Sequence, residues 1–153
     1  MKVYLVRHGE AVSSQSDPRR PLSEHGLAEV RKVASFIKHL EISVEHIWHS
    51  GKLRAAQTAE VLTGVVVGKD YSAHEGLGPD DDVAIIADEI KAYDMDLMIV
   101  GHLPFLAYLA SLLLAGKETA NVVALDAGSI ACLNRSEPGQ WRIEWMITPV
   151  ILP

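Results

Sequence analysis

The 153-residue chain has one cysteine, Cys132, so it can build neither an intramolecular disulfide nor a cysteine-based zinc cluster. Set in "SIACLN", that cysteine reads as a small buried apolar residue. Basic residues are also few. With 14 Lys and Arg against 20 Asp and Glu, the net charge is −6, and no basic face is available for a nucleic-acid backbone. Any phosphate site must therefore be local. Long hydrophobic runs are missing too: "PFLAYLASLLLAG" falls short of the roughly 20 residues of a membrane span and reads as a buried helix. The opening apolar run stops at Arg7, too early for the apolar region of a signal peptide. There is no repeat, low-complexity tract or linker. These absences predict a soluble cytoplasmic protein, off the membrane, with residues 1–153 forming a single domain.

Two further classes drop out. "GLGPDD" has two glycines of a dinucleotide fingerprint, lacks the third and follows no strong strand. His46 and His49 have opposite strand parity and cannot share a face as metal ligands would. His25 and His39 fall on the polar side of a helical pattern and read as solvated.

What is present is an alternation of strand-like and helix-like runs, the pattern of an α/β protein with a mainly parallel sheet. A strand over residues 2–8 leads to "RRPLSEHG", where Ser23 can cap a helix whose apolar residues Leu27, Val30, Val33, Ile37 and Leu40 share a face. "HIWHS" reads as a second strand, with Ser50 as cap of a helix over about 52–62 that carries Arg54 in its first turn. A weaker strand follows near residues 66–75. Asp80, Asp81 and Asp82 then precede a helix built on Val83, Ile86, Ala87 and Ile90. "LMIVGH" is a short buried strand ending at His102, and Pro104 opens the apolar helix 105–115. "VVALDAGSIACLNRS" and "QWRIEWMI", parted by "EPGQ", predict a terminal antiparallel hairpin in which Trp141 and Trp145 alternate with Ile143 and pack on the sheet.

Two predicted strands end in a histidine beside a glycine, "RHG" at 7–9 and "GH" at 101–102. In open α/β sheets, ligands bind beyond the carboxyl ends of the strands, so His8, His102, Arg7 and Arg54 can meet there. Such a group of cations and imidazoles repels itself unless an anion joins it, and arginine's planar donors suit phosphate.

The ordered segments "LVRHGE", "SGKLRAAQTAEVL" and "IVGHLP" resemble the signature of the histidine phosphatase superfamily, the phosphoglycerate mutase-like proteins. "RRPLSEHG" and "GHLPFLAYL" are similar to its SixA-type phosphohistidine phosphatase branch, and the resemblance covers nearly the whole chain. It implies a three-layer α/β/α sandwich, no metal and no cofactor, and a phosphohistidine intermediate on His8. Arg7, Arg54 and His102 would bind the phosphoryl oxygens, and positive neighbours would keep His8 neutral and nucleophilic. Gly9 would let the backbone turn beside the imidazole. Arg20 resembles a basic residue at the rim of the phosphate site.

The substrate depends on the leaving group. A sugar or glycerate alkoxide needs a general acid, and Glu75 in "SAHEGLGPDDD" is the best positional match to the family's carboxylate. Phosphohistidine can leave with a proton on its other ring nitrogen. Larger relatives enclose small molecules with helical insertions, and no segment here is long enough for such a lid. The sequence thus favours dephosphorylation of phosphohistidine in a phosphorelay or phosphotransfer protein. The alternatives are a phosphatase of small phosphomonoesters using Glu75, and a non-catalytic module that binds phosphorylated partners; the oligomeric state is open.

Overall fold

The computed structural model describes all residues, 1–153. Its six strands are β1 (Lys2–Arg7), β2 (Ser43–His49), β3 (Val67–Ala73), β4 (Leu97–Gly101), β5 (Ile130–Glu137) and β6 (Gln140–Ile147). Its main helices are α1 (Glu24–Ile37), α2 (Leu53–Thr63), α3 (Val83–Ala92) and α4 (Phe105–Ala115). The strands form one sheet in the order β3-β2-β4-β1-β5-β6. The first four are mutually parallel; β5 runs antiparallel to β1, and β6 antiparallel to β5.

The central strands β1 and β4 are near-continuous apolar runs because both of their faces are covered. Val3, Leu5, Leu97 and Ile99 pack on one side with Ile86 and Phe105, residues of α3 and α4. Tyr4, Val6, Met98 and Val100 pack on the other side, with residues of α1 and α2. The result is a three-layer α/β/α sandwich. Strand β3 is legible only weakly in the sequence because it is an edge strand, exposed along most of its length.

The site follows from this winding. After β1 the chain crosses to the α1/α2 layer, whereas after β4 it enters the α3/α4 layer. Adjacent strands whose continuations part to opposite faces leave a crevice at their carboxyl ends. Arg7 pairs with Gly101, and the His8 amide extends the ladder by donating to the Gly101 carbonyl at 3.0 Å.

Ser23 caps α1 as the sequence predicts, its Oγ accepting from the Gly26 amide at 2.9 Å. Asp82 likewise caps α3. One expectation needs correction. Ser50 does not cap α2; Lys52 stands at that position with no side-chain cap, and the Ser50 hydroxyl turns to His102 instead. Trp141 and Trp145 pack on the sheet as expected, but on opposite faces despite their equal parity: Trp141 joins the α3/α4 layer and Trp145 packs against the α1/α2 layer. The cause is a bulge in β6: Cys132 pairs with Trp145 and the next residue, Leu133, pairs with Ile143, so Glu144 is the extra residue and the side chains beyond it change face.

No helix is long and apolar enough to cross a membrane. No three His, Cys, Asp or Glu side chains group as metal ligands would.

Candidate active site

At the β1/β4 crevice the rings of His8 and His102 lie 4.9 Å apart between centroids. His8 is held on its Nδ1 side, 2.6 Å from the Gly9 carbonyl. A carbonyl only accepts, so Nδ1 carries the proton and Nε2 keeps its lone pair. Burial pushes the His8 pKa down to about 4; the Gly9 bond opposes that shift, and Arg54, Arg7 and Arg20 add to it. The positive neighbours expected to keep His8 neutral are thus only part of the cause. Desolvation is the larger one, because a ring sunk at the strand ends loses hydration of its charged form.

His102 is 1 % exposed, and its pKa is pushed down to about 3 by burial first, then by His8, Arg54, Lys52 and Arg20. Its Nε2 lies 2.6 Å from Ser50 Oγ, while its Nδ1 is buried without a partner. The Nε atoms of Arg7 and Arg54 are buried and unpartnered as well. Buried donors without partners are costly. An oxyanion with several acceptor oxygens satisfies such donors together, which is the structural counterpart of the anion inferred from the sequence.

Each element of the motifs has a local task. Arg7 is fixed by the strap before β5: its Nη1 donates to the Leu125 carbonyl at 2.8 Å, and the Gly128 amide donates to the carbonyls of Arg7 and His8. On α2, the fully buried Thr58 donates to the Arg54 carbonyl at 2.8 Å and accepts the Gly9 amide at 3.1 Å. Gln57 Oε1 accepts the Leu22 amide at 2.7 Å, anchoring the loop that carries Arg20. Gly9 is required for space rather than for its turn. A Cβ there would lie 2.7 Å from Val30 Cγ2, and the residue is outside the left-handed region. Gly26 is tighter still, since a Cβ would stand 2.0 Å from the Glu10 carbonyl oxygen.

Arg20 has φ +47°, a left-handed conformation uncommon for a non-glycine residue. Its Nε donates to the Val12 carbonyl at 3.1 Å, and its charge acts on His8, Arg54 and His102. The site thus gathers four of the residues singled out from the sequence and carries Arg20 near them. Glu75 stands apart from this network: its carboxylate is exposed and makes no hydrogen bond or ion pair. From sequence alone Ser50 reads only as a helix cap, and Lys52, Gln57 and Thr58 of the same segment carry no site role. A groove of about 700 Å³ between Leu112, Arg135 and Trp141 lies elsewhere and gathers no comparable group.

A neutral imidazole whose Nε2 makes no hydrogen bond, with the charges of three arginines acting on it at a sheet switch point, defines an α/β protein with a cationic, histidine-centred site. The family model for the histidine phosphatase superfamily, branch 1, matches residues 3–78. The phosphohistidine phosphatase SixA of Escherichia coli strain K12 is 31% identical over 156 residues, covering 97% of this chain and 94% of that protein. A solved structure of the protein histidine phosphatase SixA complexed with tungstate superposes with a TM-score of 0.86 at 27% identity, over 98% of each chain. A phosphoserine phosphatase from Entamoeba histolytica, at 17% identity, TM-score 0.72 and 97% coverage of both chains, shares the fold. The chain belongs to the histidine phosphatase superfamily, and its likeness to SixA-type members runs over nearly its whole length. By family it is a phosphatase, a phosphoric hydrolase.

Proposed function

We propose that this chain removes phosphate from phosphohistidine in a partner protein by way of a phospho-His8 intermediate. The observation that carries the reading is that Arg7, Arg54 and His102, whose charges or ring lie close enough to act on His8, each hold a buried nitrogen without a partner. In the first step His8 Nε2 attacks phosphorus, the Nε2–P bond forms and the bond to the substrate imidazole breaks. That imidazole leaves neutral, keeping the proton on its other nitrogen. Arg7, Arg54 and the His102 Nδ1–H stabilise the charge on the equatorial oxygens. Water then attacks phosphorus, the Nε2–P bond breaks with its electron pair returning to His8 Nε2, and phosphate leaves as dihydrogen phosphate carrying both protons of the water. The arginines supply the positive charge that a metal ion supplies in other phosphoryl-transfer sites, so the step proceeds without one.

Substrate size is read from the connections over the site. Residues 8–23 and 74–82 contain no helix. On this reading, connections without a helix leave the phosphate site open to a protein side chain, and Arg20 serves as a rim residue that binds it. The similarity to a phosphohistidine phosphatase supports this reading. The rival reading, hydrolysis of small phosphomonoesters, assigns Glu75 as the acid that protonates the alkoxide. That carboxylate has no partner that orients it, which favours the substrate that needs no acid.

The test measures phosphate release from a phosphohistidine-bearing protein and from a panel of small phosphomonoesters, with chelator present, for wild type and His8→Ala. Release from the protein substrate alone, with ³²P labelling of the wild type and none of the variant, is the expected result. Fast ester turnover that collapses in Glu75→Gln would replace the reading with its rival. Tight phosphate binding with no labelled enzyme on either substrate would make the chain a binding module.

A further inference from the structure

Strand β2 ends in a histidine that the phosphatase reading does not use. His49 is 8 % exposed, and its ring packs against Tyr71 of edge strand β3, with centroids 5.2 Å apart. Its Nδ1 lies 3.1 Å from the Gly51 amide. An amide N–H only donates, so His49 Nδ1 is bare and accepts. Burial lowers the His49 pKa, which favours the neutral ring that this bond requires.

The bond closes a short turn. Gly51 has φ +87°, and one residue later the Lys52 amide donates to Ser50 Oγ at 3.3 Å. The turn has two consecutive amides, each taken by a side chain two residues earlier. Between them they set where Ser50 Oγ stands, 2.6 Å from His102 Nε2. The direction of that last bond matters. If the His102 Nδ1–H is to donate to a phosphoryl oxygen, Nε2 must accept, so the Ser50 hydroxyl donates to it. With the Lys52 amide donating to the same oxygen, the proton order runs one way from backbone to substrate.

We infer that His49 is a positioning residue for this site: by accepting the Gly51 amide it holds the 50–52 turn so that Ser50 fixes the ring angle and tautomer of His102. The inference rests on the reading of His102 as a phosphoryl donor. Without His49 the Gly51 N–H loses its acceptor and the glycine, in a conformation open to several alternatives, relaxes the turn. Ser50 Oγ then leaves His102 Nε2, and the ring populates both tautomers. Arg7 and Arg54 still hold the ground-state phosphate. The loss therefore falls on the step in which charge develops.

The experiment compares wild type, His49→Leu, His49→Asn, His49→Gln and Ser50→Ala, with His102→Ala as reference, on a phosphohistidine protein. Asn places Oδ1 where Nδ1 stands, whereas Gln carries its oxygen too far. The expected pattern is a kcat lowered about tenfold in His49→Leu and His49→Gln with KM within about twofold, and recovery of most of it in His49→Asn. His49→Leu combined with Ser50→Ala should cost no more than Ser50→Ala alone, because the two act through one bond. ¹⁵N spectra of the resting enzyme should show His102 as the Nδ1–H tautomer in wild type and His49→Asn, and as a mixture in His49→Leu. Full kcat in His49→Leu, or equal losses for Asn and Gln, would overturn the inference, as would additive costs in the double variant. If His49→Leu does not fold, the Asn and Gln pair decides alone. If wild type turns over and His102→Ala does not lose activity, the phosphoryl-donor reading fails instead of the role of His49.

Discussion

Lowering the pH across the range in which an ordinary histidine protonates should leave His8 neutral. With a pKa of about 4 in the folded protein, against the usual 6.5 or so, His8 is roughly 97% neutral at pH 5.5, where an unperturbed ring is only about 9% neutral. The same displacement bears on stability. The unfolded chain binds the proton near pH 6.5 and the folded chain only near 4, so stability contributed by His8 is complete above about pH 6.5 and is lost as pH falls toward 4. Between pH 7 and pH 5 that loss integrates to about 2 kcal/mol. The assay is an NMR titration of the His8 ring in the phosphate-free protein, paired with urea unfolding of wild type and His8→Asn at pH 7 and pH 5. The expected outcome is a midpoint near 4, Nδ1 protonated at neutral pH, and a stability loss about 2 kcal/mol larger in wild type than in the variant. A midpoint near 6.5, or a ring protonated on Nε2, would refute the argument that burial and the Gly9 carbonyl prepare the lone pair.

Three other perturbations probe the supports of the site. Thr58→Val keeps the shape of a fully buried side chain but leaves the Gly9 amide without an acceptor, and should cost about 1–3 kcal/mol in chemical denaturation together with a fall in kcat. Gly26→Ala puts a methyl 2.0 Å from the Glu10 carbonyl oxygen, so α1 must move off the loop after β1; a melting temperature lowered by several degrees is expected, and an unchanged one would disprove the close approach. Arg20→Gly relieves a left-handed backbone while removing a cation, so stability should change by less than about 1 kcal/mol while KM for the phosphoprotein rises severalfold, a split that calorimetry and steady-state kinetics read separately.

The sheet was readable where the cause is local. "VYLV" and "LMIV" are buried on both faces, so continuous apolar runs announce β1 and β4, and the histidines that follow them meet because parallel strands end together. What stayed hidden depends on contacts made only after folding. The faces of Trp141 and Trp145 are set by the extra residue in β6 opposite Cys132 and Leu133, and no local signal in "QWRIEWMI" marks a bulge. Gly9 looks like a flexible turn residue until Val30 of α1 is brought against it.

The second motif shows how much more a sequence can yield when a polar residue is weighed against its neighbours on a helix face. In "LRAAQTAEVLT" the residues Ala55, Ala59 and Leu62 mark the face of α2 that turns inward, and Thr58 falls on that same face. A hydroxyl among small apolar residues at 3.6-residue spacing must find partners inside the protein, because burial without them costs more than a methyl would. One partner is supplied by the helix itself, the Arg54 carbonyl one turn back. The other must come from whatever the face packs against, and the structure supplies the amide of the residue after His8. The alanines at 55 and 59 are the complementary half of the argument: fully buried and short, they let α2 approach until a threonine can reach that amide. Arg54 and Thr58, four residues apart, then place the guanidinium and the anchor of the His8 loop on one helix. The motif is therefore a distance specification, in which the small residues set the approach, Thr58 locks it and Arg54 uses it.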